Sequence, residues 1–212
     1  MDASESKAKS ELILRRKLNF NEDKVRKINL FVNEVLSFNK KYNLISKSTE
    51  KDIWNRHVLD SAQLVKQIDP NKFNSLSDLG TGAGFPGIVI SIYFSDFNKF
   101  HVKLYEKSPV KVGFLKSIID KLSLKNVCVY DNDYQSHSLD SYYVVLRAFK
   151  KLHEILRISR ETIKVPHKLI VMLGKSAQEE VNKASKAKIF KYKLIKSITK
   201  SDSKILLVDV EK

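Results

Sequence analysis

The stretch Ser77–Tyr93, SDLGTGAGFPGIVISIY, holds Gly80, Gly82, Gly84 and Gly87, four of the six glycines in the chain. The apolar run before it, Leu76–Leu79, reads as a strand, and the run after it, Pro86–Phe94, as a helix. Glycine reaches positive φ without steric penalty and lets backbone approach a ligand where a Cβ would clash. The N-terminus of the following helix offers N–H groups with no intrahelical partner, and Pro86 suits a first turn. Strand, glycine-rich turn and helix in this order form the entry to a cofactor crevice in an α/β sheet.

Two cofactor classes fit. Gly82, Gly84 and Gly87 read as G-x-G-x-x-G, a dinucleotide fingerprint in which Glu106, at the end of the next strand, would hold a ribose. Asp78 to Gly84 read instead as D-x-G-x-G-x-G, the loop that holds the methionine end of S-adenosylmethionine (SAM), with Asp78 near its ammonium. The position of Asp78 favours SAM, as does a terminal strand pair that a nicotinamide domain would not require. The plainer alternative is a tight strand–helix turn that binds nothing. Glu106 suits the ribose hydroxyls of either cofactor; otherwise it is a solvated strand-end acid beside Lys107.

Outward from this loop, strands and helices alternate. Strands are expected at Val102–Tyr105, Val127–Tyr130, Tyr142–Leu146 and Lys168–Leu173, with helices over Pro109–Leu122, about 150–160 and about 176–187. The alternation predicts a mostly parallel sheet covered on both faces. Two last β-rich runs, near 189–198 and 204–210, are joined by a short connection and predict an antiparallel hairpin. Upstream, residues 1–19 read as a solvated, frayed lead. Apolar residues at helical spacing from Asn21 to Lys40 predict an amphipathic helix. A second helix is expected from Thr49, where Thr49 and Asp52 resemble a capping box, to Pro70.

A chain of 212 residues with 42% apolar residues can bury one substantial core. Its single cysteine, Cys128, excludes an internal disulfide framework. No secretory signal and no membrane-length apolar run is legible, so a cytoplasmic location is expected. A net charge of +15 points to a polyanionic partner. Lysines outnumber arginines 32 to 7, however, which is also what genomic base composition alone can produce.

YNLIS, RHVLDS, DLGTGAGFPGI, LYEKSPVKVGFLKSI and LRAFK occur in that order, and together they resemble the RsmG (GidB) family, the 16S rRNA guanine-N7 methyltransferases. The resemblance runs from about Asn39 to about Lys175. It implies a class I SAM-methyltransferase (Rossmann-like) α/β fold: a mixed sheet with a terminal antiparallel hairpin (residues 73–212) and a helical N-terminal extension (1–72). It implies SAM as cofactor and 16S rRNA or the small ribosomal subunit as partner, acted on by a monomer. The site residues it implies for the cofactor are Asp78, Gly80, Gly82, Gly84, Phe85, Glu106, Tyr134, Gln135 and Arg147. Tyr134 and Gln135 stand where the family has an R-x-E turn lining the adenine pocket, so its arginine becomes Asp133 and its glutamate Gln135. Two further departures are Leu146 for serine in S-R-A-F, and Leu173 for lysine in L-K-G.

Guanine N7 carries a free lone pair, so methylation there needs no general base; orientation and exclusion of water would supply the catalysis. N7 must also stay free, so Arg147 would contact O6, a phosphate or the SAM carboxylate rather than the usual O6/N7 pair. Arg56, His57, Asn43 and Arg147 are the residues expected at the catalytic mouth. By spacing alone, Arg56 and Asp60 read as an i,i+4 ion pair, and Asn43 as a helix-end or turn residue. Lys107, Lys111 and Lys116 form either a phosphate-binding strip or a solvated face. Trp54 and Phe31 are expected in the core, and His101, His137, His153 and His167 show no metal-ligand spacing. The alternatives are a SAM methyltransferase with another RNA or small-molecule substrate, or a basic RNA-binding relative without activity.

Overall fold

The computed structural model describes residues 3–147, 150–187 and 190–211. Five parallel strands form the body of the sheet: β1 (Ser75–Leu79), β2 (His101–Glu106), β3 (Val127–Asp131), β4 (Tyr143–Arg147) and β5 (His167–Leu173). β6 (Tyr192–Lys196) and β7 (Lys204–Val210) complete the order β3-β2-β1-β4-β5-β7-β6. The closing pair is the antiparallel hairpin anticipated from its short connection. It is β7, the later strand, that enters the sheet against β5, also antiparallel, and leaves β6 at the edge. Burial explains the choice: β7 buries Ile205, Leu206 and Val208, whereas β6 has no fully buried residue and two lysines, which suit an edge strand.

Helices cover both faces. α7 (Leu152–Thr162) and α8 (Ala177–Ala187) pack with one side of the sheet in a cluster that includes Leu79, Val144, Ile155, Leu169, Val181 and Leu206. On the other side lie α2 (Glu22–Asn39), α5 (Gly87–Tyr93) and α6 (Pro109–Lys121), which share a second cluster with Leu76, Leu104, Val145 and Ile170. Strand order reverses between β1 and β4, so the crevice at the carboxyl ends of these strands is the topological switch point.

Residues 3–18 are not a frayed lead. They form helix α1 (Ala3–Leu18), whose Leu14 and Leu18 are buried in the second cluster. Its end is tied to the next helix by Arg15, which binds both carboxylate oxygens of Glu22 at 2.6 and 3.0 Å. α2 starts as its sequence predicts, with Asn21 Oδ1 accepting from Lys24 N–H at 2.9 Å.

The predicted single helix from Thr49 to Pro70 is broken. α3 (Lys47–Glu50) is one turn, followed by a π-helical turn at Trp54–Leu59, α4 (Asp60–Ala62) and a 3-10 segment at Gln63–Gln67. Ser46, not Thr49, precedes the first turn; Thr49 donates to Ser46 O instead of capping. Trp54 and Phe31 are buried in the core as expected. Ala148 and Phe149 of the LRAFK motif, and Ile189 at the start of the first hairpin run, lie outside the described residues.

Candidate functional site

The glycine turn divides into two halves. Gly80, with φ of 71°, lines two adjoining cavities, and Gly82, with φ of 61°, lines one of them. Gly84 and Gly87 face inward and are dictated by packing. Gly84 has φ of 94°, and a Cβ there would sit 2.7 Å from Ile88 Cγ1. A Cβ on Gly87 would collide with Leu104 and lie 2.8 Å from Asp78 Oδ2. Of the four glycines, Gly80 and Gly82 line cavities at this edge, while Gly84 and Gly87 line none of the three described below.

Asp78 explains how the turn holds its shape. Its Oδ2 accepts from Thr81 Oγ1 at 2.7 Å and from Gly87 N–H at 2.8 Å. Asp78 is 1% exposed and lines none of the three cavities described below, standing beneath the loop. Burial pushes its carboxyl up to about 6 despite the two hydrogen bonds. Glu106 clamps the same turn from β2: Oε2 accepts from Gly82 N–H at 3.0 Å and Oε1 from Ser108 N–H at 2.9 Å. Each oxygen keeps a lone pair for a further donor.

Three cavities adjoin along the carboxyl edge of the sheet. The first, of about 370 Å³, is lined by Gly80, Glu106, Lys107, Tyr134, Gln135 and Lys150. Tyr134 is buried, and Asp133 Oδ1 caps the short turn by accepting from Gln135 N–H at 3.0 Å. The second, also about 370 Å³, lies between Gly80, Gly82 and Phe85 on one side and Ser46, Thr49 and His57 on the other. The third, of about 210 Å³, opens over the ends of β5 and β7, between Asp60, Gln63 and the β6–β7 connection. Gly80 is common to the first and second, Arg56 and Arg147 to the second and third.

Arg147, at the end of β4, ties the N-terminal helices to the sheet. Nη2 donates to Arg56 O at 2.8 Å and Nη1 to His57 Nδ1 at 2.9 Å, while Nε is 3.9 Å from Asp60 Oδ2. The first of these acceptors lies in the irregular turn, where Asp60 N–H bonds to His57 O. Burial lowers the Arg147 pKa, and Asp60 opposes the shift. Since an arginine only donates, Nδ1 of His57 must accept, and the ring proton sits on Nε2. Nε2–H then donates to Thr49 Oγ1 at 2.9 Å, and Thr49 donates to Ser46 O at 3.0 Å. Both ring nitrogens are thus committed. Desolvation, then the charges of Arg147 and Arg56, push His57 down to about 3, so the imidazole is neutral. Its ring packs on Phe85, which packs on Phe31.

The structure brings Arg56, His57 and Arg147 together, but Arg56 and Asp60 do not pair. Among the described residues the Arg56 guanidinium has no hydrogen bond or ion pair. Asn43 is exposed and lines none of the three cavities; Leu44, Ile45 and Ser46 do so in its place. Asn39, which the sequence reading passed over, shapes that segment: its Oδ1 accepts from Leu44 N–H at 2.8 Å and Ile45 N–H at 3.0 Å. Thr49, Asp60, Gln63 and Lys150 were likewise not among the expected site residues; Asp60 and Gln63 find their partners Thr199 and Ser197 more than 130 residues away. Lys107 lines the first cavity, whereas Lys111 and Lys116 line none of the three. No group of three or more His, Cys, Asp or Glu side chains is placed to hold a metal, and no helix is long and apolar enough to cross a membrane, among the described residues.

The strand order with an inserted antiparallel β7, the glycine turn after β1 and the acid ending β2 define a class I SAM-dependent methyltransferase fold. Solved structures agree at the level of fold. A SAM-dependent methyltransferase from Aquifex aeolicus superposes with a TM-score of 0.57 at 16% identity, covering 82% of this chain and 97% of that one. M. jannaschii TYW2, solved in complex with AdoMet, gives 0.52 at 16% identity over 72% of this chain and 74% of that one. Residues 24–207 match the family described as rRNA small subunit methyltransferase G, GidB. The ribosomal RNA small subunit methyltransferase G of Pelagibacter ubique is 37% identical over 180 residues, 84% of each chain. The chain belongs to this methyltransferase family.

Proposed function

We propose that the protein transfers a methyl group from SAM to N7 of a guanine in 16S rRNA. The observation that carries the choice of atom is His57, whose lone pair is on Arg147 and whose proton is on Thr49, so this imidazole is not free to take a proton from an amine or hydroxyl. N7 already presents a lone pair, so the site needs only to orient it and exclude water.

The residues present fit SAM. Gly80 and Gly82 offer a backbone wall, and Glu106 has lone pairs left for ribose hydroxyls in the first cavity, where Tyr134 and Gln135 would flank the adenine. Gly84 and Asp78 act from beneath by fixing the loop, and Phe85 closes the apolar side of the second cavity. SAM, when bound, supplies an electrophilic methyl whose departure leaves a neutral thioether. Arg147 and His57 hold the irregular helical turn against the sheet, and Arg56 offers an unpaired cation at the mouth. Residues 1–72 are then a helical extension that contributes Ser46, Thr49, Arg56, His57, Asp60 and Gln63 to a site completed by 73–212. Asn43 would reach only the rim.

All three cavities are lined by residues of one chain, in keeping with action as a monomer, and a small-subunit rRNA substrate is in keeping with a cytoplasmic reaction. Transfer of labelled methyl from SAM to small-subunit particles lacking their natural modifications tests the reading. The expected product is 7-methylguanosine at one site; methyl on another atom, or none with SAM still bound, overturns it.

A further inference from the structure

The third cavity meets the second at Arg56 and Arg147, which line both, and Asp60 lines it beside Arg147. The two oxygens of that carboxylate are used unequally. Oδ1 accepts from Thr199 Oγ1 at 2.7 Å, Gln63 Nε2 at 3.0 Å and Ser197 Oγ at 3.4 Å, while Gln63 Oε1 takes Ile198 N–H at 2.9 Å. These bonds dock the β6–β7 connection onto α4. Among the described residues Oδ2 has only the Arg147 Nε at 3.9 Å, beyond hydrogen-bond range. The carboxylate is thus held rigidly by one oxygen and has the other unspent.

On the reading that the substrate is guanine, we infer that this cavity receives the target base and that Asp60 selects it, Oδ2 accepting from N1–H and the 2-amino group while Arg56 donates to O6. Arg147, Arg56 and Asp60 all line this one cavity, so a single base can meet each of them. N7 faces the methyl donor past Arg147, O6 comes next at Arg56, and the N1 and 2-amino edge reaches Asp60. A cavity of about 210 Å³ suits one flat base; a ~150 Å³ cavity already holds a benzene ring. Adenine would set an amino group against Arg56 and an unprotonated N1 against Asp60, a mismatch at both positions. Reading a displaced base through its Watson–Crick edge leaves N7 free for attack.

The test compares RNA carrying guanosine or inosine at the methylated position, inosine lacking only the 2-amino group. Wild type should favour guanosine in kcat/KM by about tenfold to a hundredfold, the worth of a hydrogen bond to a charged group. Asp60→Asn can keep an oxygen on Thr199 and Gln63 but sets an amide N–H where Oδ2 stood. It should lose most activity on guanosine and level the two substrates to within about twofold, with SAM affinity unchanged. Thr199→Val, which touches only the Oδ1 side, should keep the preference even if the β6–β7 connection loosens and the rate falls. An Asp60→Asn enzyme that still prefers guanosine, or a wild type indifferent to inosine, overturns the inference while 7-methylguanosine formation stands. No 7-methylguanosine from wild type on guanosine RNA overturns the parent reading, and this one with it.

Discussion

His57 makes acid stability a readout of the site. Its folded pKa is depressed to about 3 from 6.5, so the stability it allows is complete above 6.5 and is lost as pH falls toward 3. Taking a sample from about pH 7.5 to about pH 5, the unfolded chain gains this proton and the folded chain does not, a loss of about 2 kcal/mol. Asp78 works in the opposite sense. Its folded pKa is raised from 3.8 to about 6, so its contribution is complete below 3.8 and lost as pH rises through 6. Over the same interval it returns about 1 kcal/mol, leaving the wild type with a small net loss from the pair. His57→Asn keeps an acceptor for Arg147 but cannot titrate. Urea unfolding at the two pH values should therefore show the variant gaining about 2 kcal/mol on wild type as the pH falls, whatever its stability at neutral pH. Parallel stability curves for the two proteins would refute the buried, neutral imidazole and the polarity of the Arg147–His57–Thr49 chain built on it.

Asn39→Ala strips the acceptor from two buried N–H groups, at Leu44 and Ile45, and should cost about 2–4 kcal/mol in denaturant unfolding; a change below about 0.5 kcal/mol would contradict that role. Gly87→Ala forces a methyl against Leu104 and Asp78 and should destabilise by about 1–3 kcal/mol, with a weakened SAM complex measurable by calorimetry. Arg147→Ala should retain the far-UV circular dichroism of the wild type and lose about a hundredfold or more in methyl transfer, since it fixes both Arg56 and His57; an undiminished rate would sink the assignment. With a net charge of +15, RNA affinity should fall steeply and log-linearly with salt, and a flat profile would argue for an uncharged substrate.

Periodicity and turn chemistry were enough to place the seven strands, the glycine turn after β1 and the hairpin at the end, because each is set by residues close together in the chain. The glycine positions and the strand-end Glu106 fitted either of two cofactors; Asp78 ahead of the glycines and the order of short motifs pointed to SAM. Local reading failed where a distant contact decides the outcome. α1 has a polar first half, and only Leu14 and Leu18 docking into the core make it a folded element. The π-helical turn at Trp54–Leu59 has no sequence marker; it is stabilised by an arginine about ninety residues downstream that takes its carbonyl. The spacing of Arg56 and Asp60 indicated a surface ion pair, yet Asp60 turns to Thr199 and leaves Arg56 free. Sequence by itself thus determined the fold class and the cofactor loop, whose geometry is fixed by backbone conformation over a few residues. Which side chains meet across the crevice, and in what protonation state, was decided only when β4, the irregular helix and the β6–β7 connection packed together, because hydrogen bonding and desolvation there depend on partners the local sequence does not contain.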